Sequence, residues 1–136
     1  DVVVDVRKES KTFGKHFSIE LSGDNNRQLY IPRGFLHGFS VLEEGTIFAY
    51  KCNNYYHKLS EDGVVYNDQS LNIDWMLSEN EIILSEKDRK LKTFKEFISW
   101  KNSLLADFIS DKVSLEVETS CFREIHWNDL RFYLKV

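Results

Sequence analysis

The segment Ile31-Pro32-Arg33-Gly34-Phe35-Leu36-His37-Gly38-Phe39 constrains the fold of this chain more than any other stretch. It holds the only proline of the sequence, two residues before a glycine and five before a histidine set among apolar side chains. Proline fixes its own φ, and glycine reaches backbone conformations that other residues avoid, so the pair specifies a rigid turn. The run after the turn reads as a strand over 35–42, which delivers His37 toward a pocket and away from water. Short apolar runs with punctuation between them continue on both sides. Val2-Val3-Val4 opening into Asp5-Val6 is β-branched, and His16 to Leu21 alternates with period two, predicting a strand with one buried face. Ser22 to Asn26, Glu43-Glu44-Gly45 and Glu61-Asp62-Gly63 are turns by composition. Thr46 to Cys52 predicts a further strand, closing a hairpin with 35–42 at Gly45.

Aromatic residues make up 14% of the chain against one proline and six glycines, which suits a β-rich interior filled with rings. Beyond Trp75 the period changes. Thr93-Phe94-Lys95-Glu96 has the Thr-x-x-Glu form of a capping box, and Phe94, Phe97, Ile98, Leu105, Phe108 and Ile109 recur at helical spacing, predicting a helix from Thr93 to Ile109 whose stripe packs on the sheet. Val113 to Glu118 and Leu130 to Leu134 read as further strands. The class is therefore mainly β with a C-terminal helix, in one domain, with no linker-like stretch to divide it.

The net charge of −4 is mild and basic residues are interleaved with acids, which argues against a nucleic-acid partner. Cys52 and Cys121 lie far apart without metal-ligand spacing, as expected of a reduced, cytoplasmic protein. No apolar run approaches the roughly 20 residues that span a bilayer, so no membrane association is expected.

The spacing Pro32-x-Gly34-x-x-His37 resembles the second motif of the cupin superfamily, which implies a jelly-roll barrel. The asparagine that metal-binding cupins place four residues after that histidine is Val41 here, and no Gly-rich His-x-His motif accompanies it. Neither a metal nor another cofactor is expected. A closer likeness covers residues 1 to about 98. Asp5-Val6-Arg7-Lys8-Glu9-Ser10-Lys11-Thr12-Phe13-Gly14, Leu21-Ser22, Asn26-Arg27-Gln28-Leu29-Tyr30, Phe48-Ala49-Tyr50-Lys51, Asn54-Tyr55-Tyr56, Tyr66-Asn67-Asp68, Asn72-Ile73-Asp74-Trp75 and Leu84-Ser85-Glu86-Lys87-Asp88 resemble, in order, the motifs of the dTDP-4-dehydrorhamnose 3,5-epimerases. On that likeness residues 1–100 form an epimerase-like cupin domain without its N-terminal part, and residues 101–136 form an extension of unknown nature. The family carries an Arg-Gly-Leu-His segment and a Gly-Lys segment before the point where this chain opens, which leads us to expect an amino-terminally truncated copy that is inactive alone.

What the resemblance implies is proton abstraction and return at C3 and C5 of a dTDP-linked 4-keto-6-deoxyhexose. The chemistry needs a base, stabilisation of an enolate oxygen, and an acid on the opposite face. Tyr50 aligns with the family's acid, a phenol that is neutral and proton-bearing near pH 7 with a reference pKa of about 10. Asp88 aligns with the carboxylate that orients the base histidine; its plainer reading is an exposed acid among Lys87, Arg89 and Lys90. His37 aligns with a second pocket histidine, and both it and Tyr50 are expected to turn into one cavity. Arg33 is a candidate for the pyrophosphate, and Tyr55 and Tyr56 for the nucleotide, where aromatic faces pack on thymine. The resemblance further implies a homodimer. The competing readings are a nucleotide-sugar 3,4-ketoisomerase and a noncatalytic nucleotide-sugar-binding or assembly cupin.

Overall fold

The computed structural model describes residues 1–53, 55 and 61–103 and the backbone of 131–133. It forms a five-stranded mixed sheet of β1 (Val2–Asp5), β2 (His16–Ser18), β3 (Phe35–Gly38), β4 (Glu61–Gly63) and β5 (Arg131–Tyr133), in the order β2-β1-β3-β5-β4. β1 is antiparallel to both β2 and β3, with Val4 opposite His16 on one side and Leu36 on the other. β5 lies parallel to β3 and to β4. A helix, α1, runs over 94–103. The mainly β class with a following helix is the expected one, and among the described residues the strands form this single sheet.

Alternation along β1 sorts its residues between two faces. Val2, Val4 and Val6 join Leu36, Val64, Leu71, Trp75 and Phe97 in the core, with Tyr66, Ile73, Phe94, Ile98 and Trp100 packed at its margin. Helix α1 covers this face, and its start is built as the sequence predicts. Glu96 Oε2 accepts from the Thr93 backbone N–H at 2.8 Å, while Thr93 Oγ1 accepts from the Glu96 N–H at 3.3 Å. This reciprocal pair satisfies two N–H groups that have no intrahelical partner. The Phe94 N–H donates to Asp68 Oδ2 at 2.7 Å, tying the helix start to the turn beneath it. Trp75 Nε1 donates to the Tyr66 carbonyl and Ser40 Oγ donates to the Trp75 carbonyl, which joins the end of β3 to the 66–75 segment.

Four local expectations need correction. Glu61-Asp62-Gly63, expected to be a turn, is strand β4, because its backbone finds a parallel ladder partner in β5 that composition does not report. The strand starting at His16 ends at Ser18 and all three of its residues are exposed, because β2 is a sheet edge that nothing among the described residues covers. The strand starting at Phe35 ends at Gly38. The 46–52 segment forms no strand, and the hairpin at Gly45 is absent; a strand needs a neighbour for its N–H and C=O groups, and this segment has no ladder partner among the described residues. Alternation gave it the pattern of a strand without the partner. The strand expected at 113–118 and the helix beyond residue 103 lie outside the described residues.

The Pro32–Gly34 turn is as tight as its composition suggests. Gly34 has φ +88°, its carbonyl accepts from the Val6 N–H at 3.0 Å, and a Cβ placed there would lie 2.6 Å from Arg7 Cγ. Gly34→Ala therefore strains the backbone and pushes Arg7 aside, and we expect a loss of roughly 1–3 kcal/mol. A lower urea midpoint at unchanged slope would show it; an unaltered midpoint would mean that the turn relaxes freely.

Candidate functional site

The face of the sheet opposite the core holds the group of residues that the sequence singled out. In the β1–β3 register His37 stands opposite Val3, and Phe17 of β2 stands opposite Val3 on the other side, so these three share a face. Asp1 and Phe39 extend that face past the strand ends. His37 Nε2 and Asp1 Oδ1 are 2.9 Å apart, a diagonal cross-strand pair, with the aspartate side chain 7% exposed and the imidazole 20%. Burial, aided by the nearby chain-terminal ammonium, pushes the His37 pKa down to about 4, so the ring is neutral at pH 7.

An aromatic cluster covers the imidazole. Phe48 packs against the His37 ring at 6.3 Å between centroids, stacks on Phe39 at 3.9 Å and meets Tyr50 at 5.5 Å. His37 and Tyr50 are thus brought to one surface, with Phe48 between them. Their expected burial in a shared cavity is not observed. Tyr50 is 68% exposed and belongs to no strand, because the 41–50 segment stays at the surface along its whole length.

Asp88 is 5% exposed, which overturns its plainer reading as a solvated acid. It opens a 3₁₀ turn over Asp88–Lys90 and accepts from Ser85 Oγ at 2.6 Å, while its own N–H donates to Ser85 Oγ at 3.1 Å. Among the described residues its side-chain partner is this serine and no histidine. Of its basic neighbours, Lys87 pairs with Glu61 at 2.6 Å, and Arg89 and Lys90 are exposed. Arg33 is exposed on the Pro32–Gly34 turn, and Tyr55 is 94% exposed. Tyr56 lies outside the described residues. The arrangement accordingly offers a neutral imidazole held by a carboxylate, a stacked aromatic surface beside it and an accessible phenol, with a buried carboxylate carried on a separate turn.

Sequence reasoning missed Asp1, and it gave Phe39 and Phe48 no role. The signal for Asp1 was present. Once β1 and β3 are paired antiparallel with Val3 beside His37, the residue two positions before Val3 must lie on the same face, within reach of a histidine side chain.

Comparison with known proteins shows which family this sequence is similar to. The family model described as dTDP-4-dehydrorhamnose 3,5-epimerase matches residues 1–96. The dTDP-4-dehydrorhamnose 3,5-epimerase of Shigella flexneri is 50% identical over 88 residues, covering 65% of this chain and 48% of its own length. Its counterpart from Escherichia coli (strain K12) is 48% identical over 101 residues, covering 74% and 54%. The crystal structure of dTDP-4-dehydrorhamnose 3,5-epimerase from Elizabethkingia anophelis NUHP1 matches with a TM-score of 0.58 at 41% identity, over 70% of this chain and 52% of that one. The chain spans about half the length of the curated relatives it matches. With its first 96 residues matched throughout by one family model, the chain belongs to the dTDP-4-dehydrorhamnose 3,5-epimerase family.

Proposed function

We propose that this polypeptide supplies part of a 3,5-epimerase site for a dTDP-linked 4-keto-6-deoxyhexose, acting in a reduced, cytoplasmic setting as a homodimer. The observation that carries the reading is the surface formed by His37, Phe39, Phe48 and Tyr50, built from two motifs that the family likeness picks out independently. On this reading a base removes the proton at C3 or C5, the ketone oxygen takes up the charge as an enolate, and Tyr50 returns a proton from the opposite face. Exposure suits that task, because the phenol must meet a substrate and then recover its proton from water. His37, neutral at pH 7, contacts the sugar; a pKa lowered to about 4 makes its imidazole a weak proton acceptor, so it serves poorly as the primary base. Arg33 approaches the pyrophosphate, and Tyr55 and Tyr56 serve the nucleotide end. Asp88 is the carboxylate meant to orient a base histidine.

A second reading has its own support. Asp88 is already engaged by Ser85, which fits a polypeptide that binds a nucleotide sugar without turning it over. Proton exchange separates the two. Incubated in deuterated water with dTDP-4-keto-6-deoxyglucose, the 136-residue polypeptide is expected to leave C3 and C5 unlabelled above the buffer rate. Fused to a family-type segment carrying Arg-Gly-Leu-His and Gly-Lys, it is expected to label both carbons, and Tyr50→Phe in that fusion should slow proton return by a hundredfold or so while sparing affinity. A fusion that folds and binds but never labels the sugar would leave only the binding reading; labelling by the unfused polypeptide would make His37 the base.

A further inference from the structure

We infer that Asp1 is a positioning residue, whose carboxylate fixes His37 as the Nε2–H tautomer and so presents Nδ1 as a hydrogen-bond acceptor for a hydroxyl of the bound sugar. The inference deepens the nucleotide-sugar reading above and rests on it for the identity of the ligand.

The tautomer follows from the chemistry of the pair. An ionised carboxylate can only accept hydrogen bonds, so the nitrogen 2.9 Å from Asp1 Oδ1 is the one that carries hydrogen. In a neutral imidazole the other nitrogen is then bare and can only accept. Among the described residues Nδ1 has no hydrogen-bond partner, yet no side-chain nitrogen or oxygen is both buried and unpartnered. Nδ1 is therefore reachable from outside, beside the rings of Phe39 and Phe48.

The carboxylate is itself held in place. The Asp1 backbone nitrogen donates to the Ile19 carbonyl at 2.9 Å, continuing the β1–β2 ladder beyond Val2, so the residue is fixed by the sheet before its side chain makes any contact. A carboxylate on a strand, 7% exposed and aimed at a histidine on the next strand, restricts both the rotation and the tautomer of the ring. A sugar-binding site gains from this, because a hydroxyl donor meets an acceptor already oriented toward it.

The test is a two-bond imidazole ¹⁵N correlation spectrum of the labelled polypeptide at pH 7. We expect a pyrrole-type Nε2 and a pyridine-type Nδ1 for His37, a mixture of tautomers in Asp1→Ala, and recovery of the single tautomer in Asp1→Asn, whose amide oxygen can accept the same bond. A pyridine-type Nε2 in the unmodified protein, or an Asp1→Ala spectrum identical to it, overturns the assignment; the unmodified spectrum decides even where a variant fails to fold. Titration with dTDP-glucose, a stable nucleotide sugar without the ketone, provides the second arm. It is expected to move the Nδ1 resonance, and Asp1→Ala is expected to bind it about tenfold more weakly. Binding with an unmoved Nδ1 and equal affinity in Asp1→Ala would overturn the positioning role. If no resonance of the unmodified protein responds to dTDP-glucose, the nucleotide-sugar reading fails, and the tautomer spectrum still judges the Asp1–His37 pairing by itself.

Discussion

Asp5→Ala is expected to destabilise the protein by about 3 kcal/mol, a loss of roughly 10 °C in Tm, although Asp5 is a member of neither the core cluster nor the aromatic surface. Its side chain is 2% exposed and collects five hydrogen bonds. Oδ1 accepts from the Arg7 backbone N–H and from Arg7 Nε, and Oδ2 accepts from Arg7 Nη2 at 2.7 Å and from Ser10 Oγ and Thr12 Oγ1 at 2.6 Å each. Removing the carboxylate leaves Arg7, Ser10 and Thr12 without the acceptor that folds the 7–14 loop back onto β1. The loop is closed on the other side by the Gly14 N–H donating to the Asp5 carbonyl, so one residue holds both of its ends.

The same cluster predicts an acid limit. The Arg7 guanidinium, helped by Ser10 and Thr12 and opposed by burial, holds the Asp5 carboxyl well below the usual carboxylate range. A group whose folded pKa is depressed contributes stability that is complete above its unfolded value of about 4 and is lost as pH falls from there toward the folded value. The difference in Tm between the unmodified protein and Asp5→Asn should therefore be constant above about pH 5 and shrink below about pH 4. A difference independent of pH down to the acid transition would show that Asp5 acts through shape and neutral hydrogen bonding alone.

Phe97→Ala is expected to cost about 4 kcal/mol, chiefly through the cavity it leaves. Phe97 is fully buried in the core cluster on helix α1 and lies 6.1 Å from the Trp100 ring, centroid to centroid. A helix start is well fixed by the Thr93–Glu96 capping box, so the structure around the missing ring cannot easily collapse. Phe97→Leu, which refills much of the volume, should recover most of the loss. Denaturant midpoints at constant slope would measure both; a Phe97→Ala cost under about 1 kcal/mol would mean that α1 is not anchored through this ring.

How far the sequence disclosed the molecule depended on whether a signal was local. The three valines of strand β1, the Pro32–Gly34 turn and the Thr93–Glu96 capping box each carry their cause within a few residues, and each appears where it was expected. The 46–52 segment has the alternation of a strand, but pairing depends on a neighbour that no local pattern reports. Phe48 within it faces Phe39 rather than a core, which only the fold can place. Asp88 shows the same limit in reverse: its charged flanks suggested exposure, while the Ser85 hydroxyl makes burial of its carboxylate tolerable. The Asp5 motif was read for its family likeness, and the loop-closing bonds behind that motif were not visible in it.

The β1–β3 register also governs which changes in length this region can tolerate. Even-numbered residues Val2, Val4, Leu36 and Gly38 face α1 or lie opposite residues that do, and odd-numbered Asp1, Val3, His37 and Phe39 take the other side. Point substitutions can thus alter the imidazole surface without touching the core. A single inserted or deleted residue in β1 or β3 has no such freedom, because it exchanges the two sets at once, sending valines outward and the aspartate and histidine in. Length variation in this family member is therefore confined to the turns, and the distance in sequence from Asp1 to Val4 is as fixed as the identity of either residue.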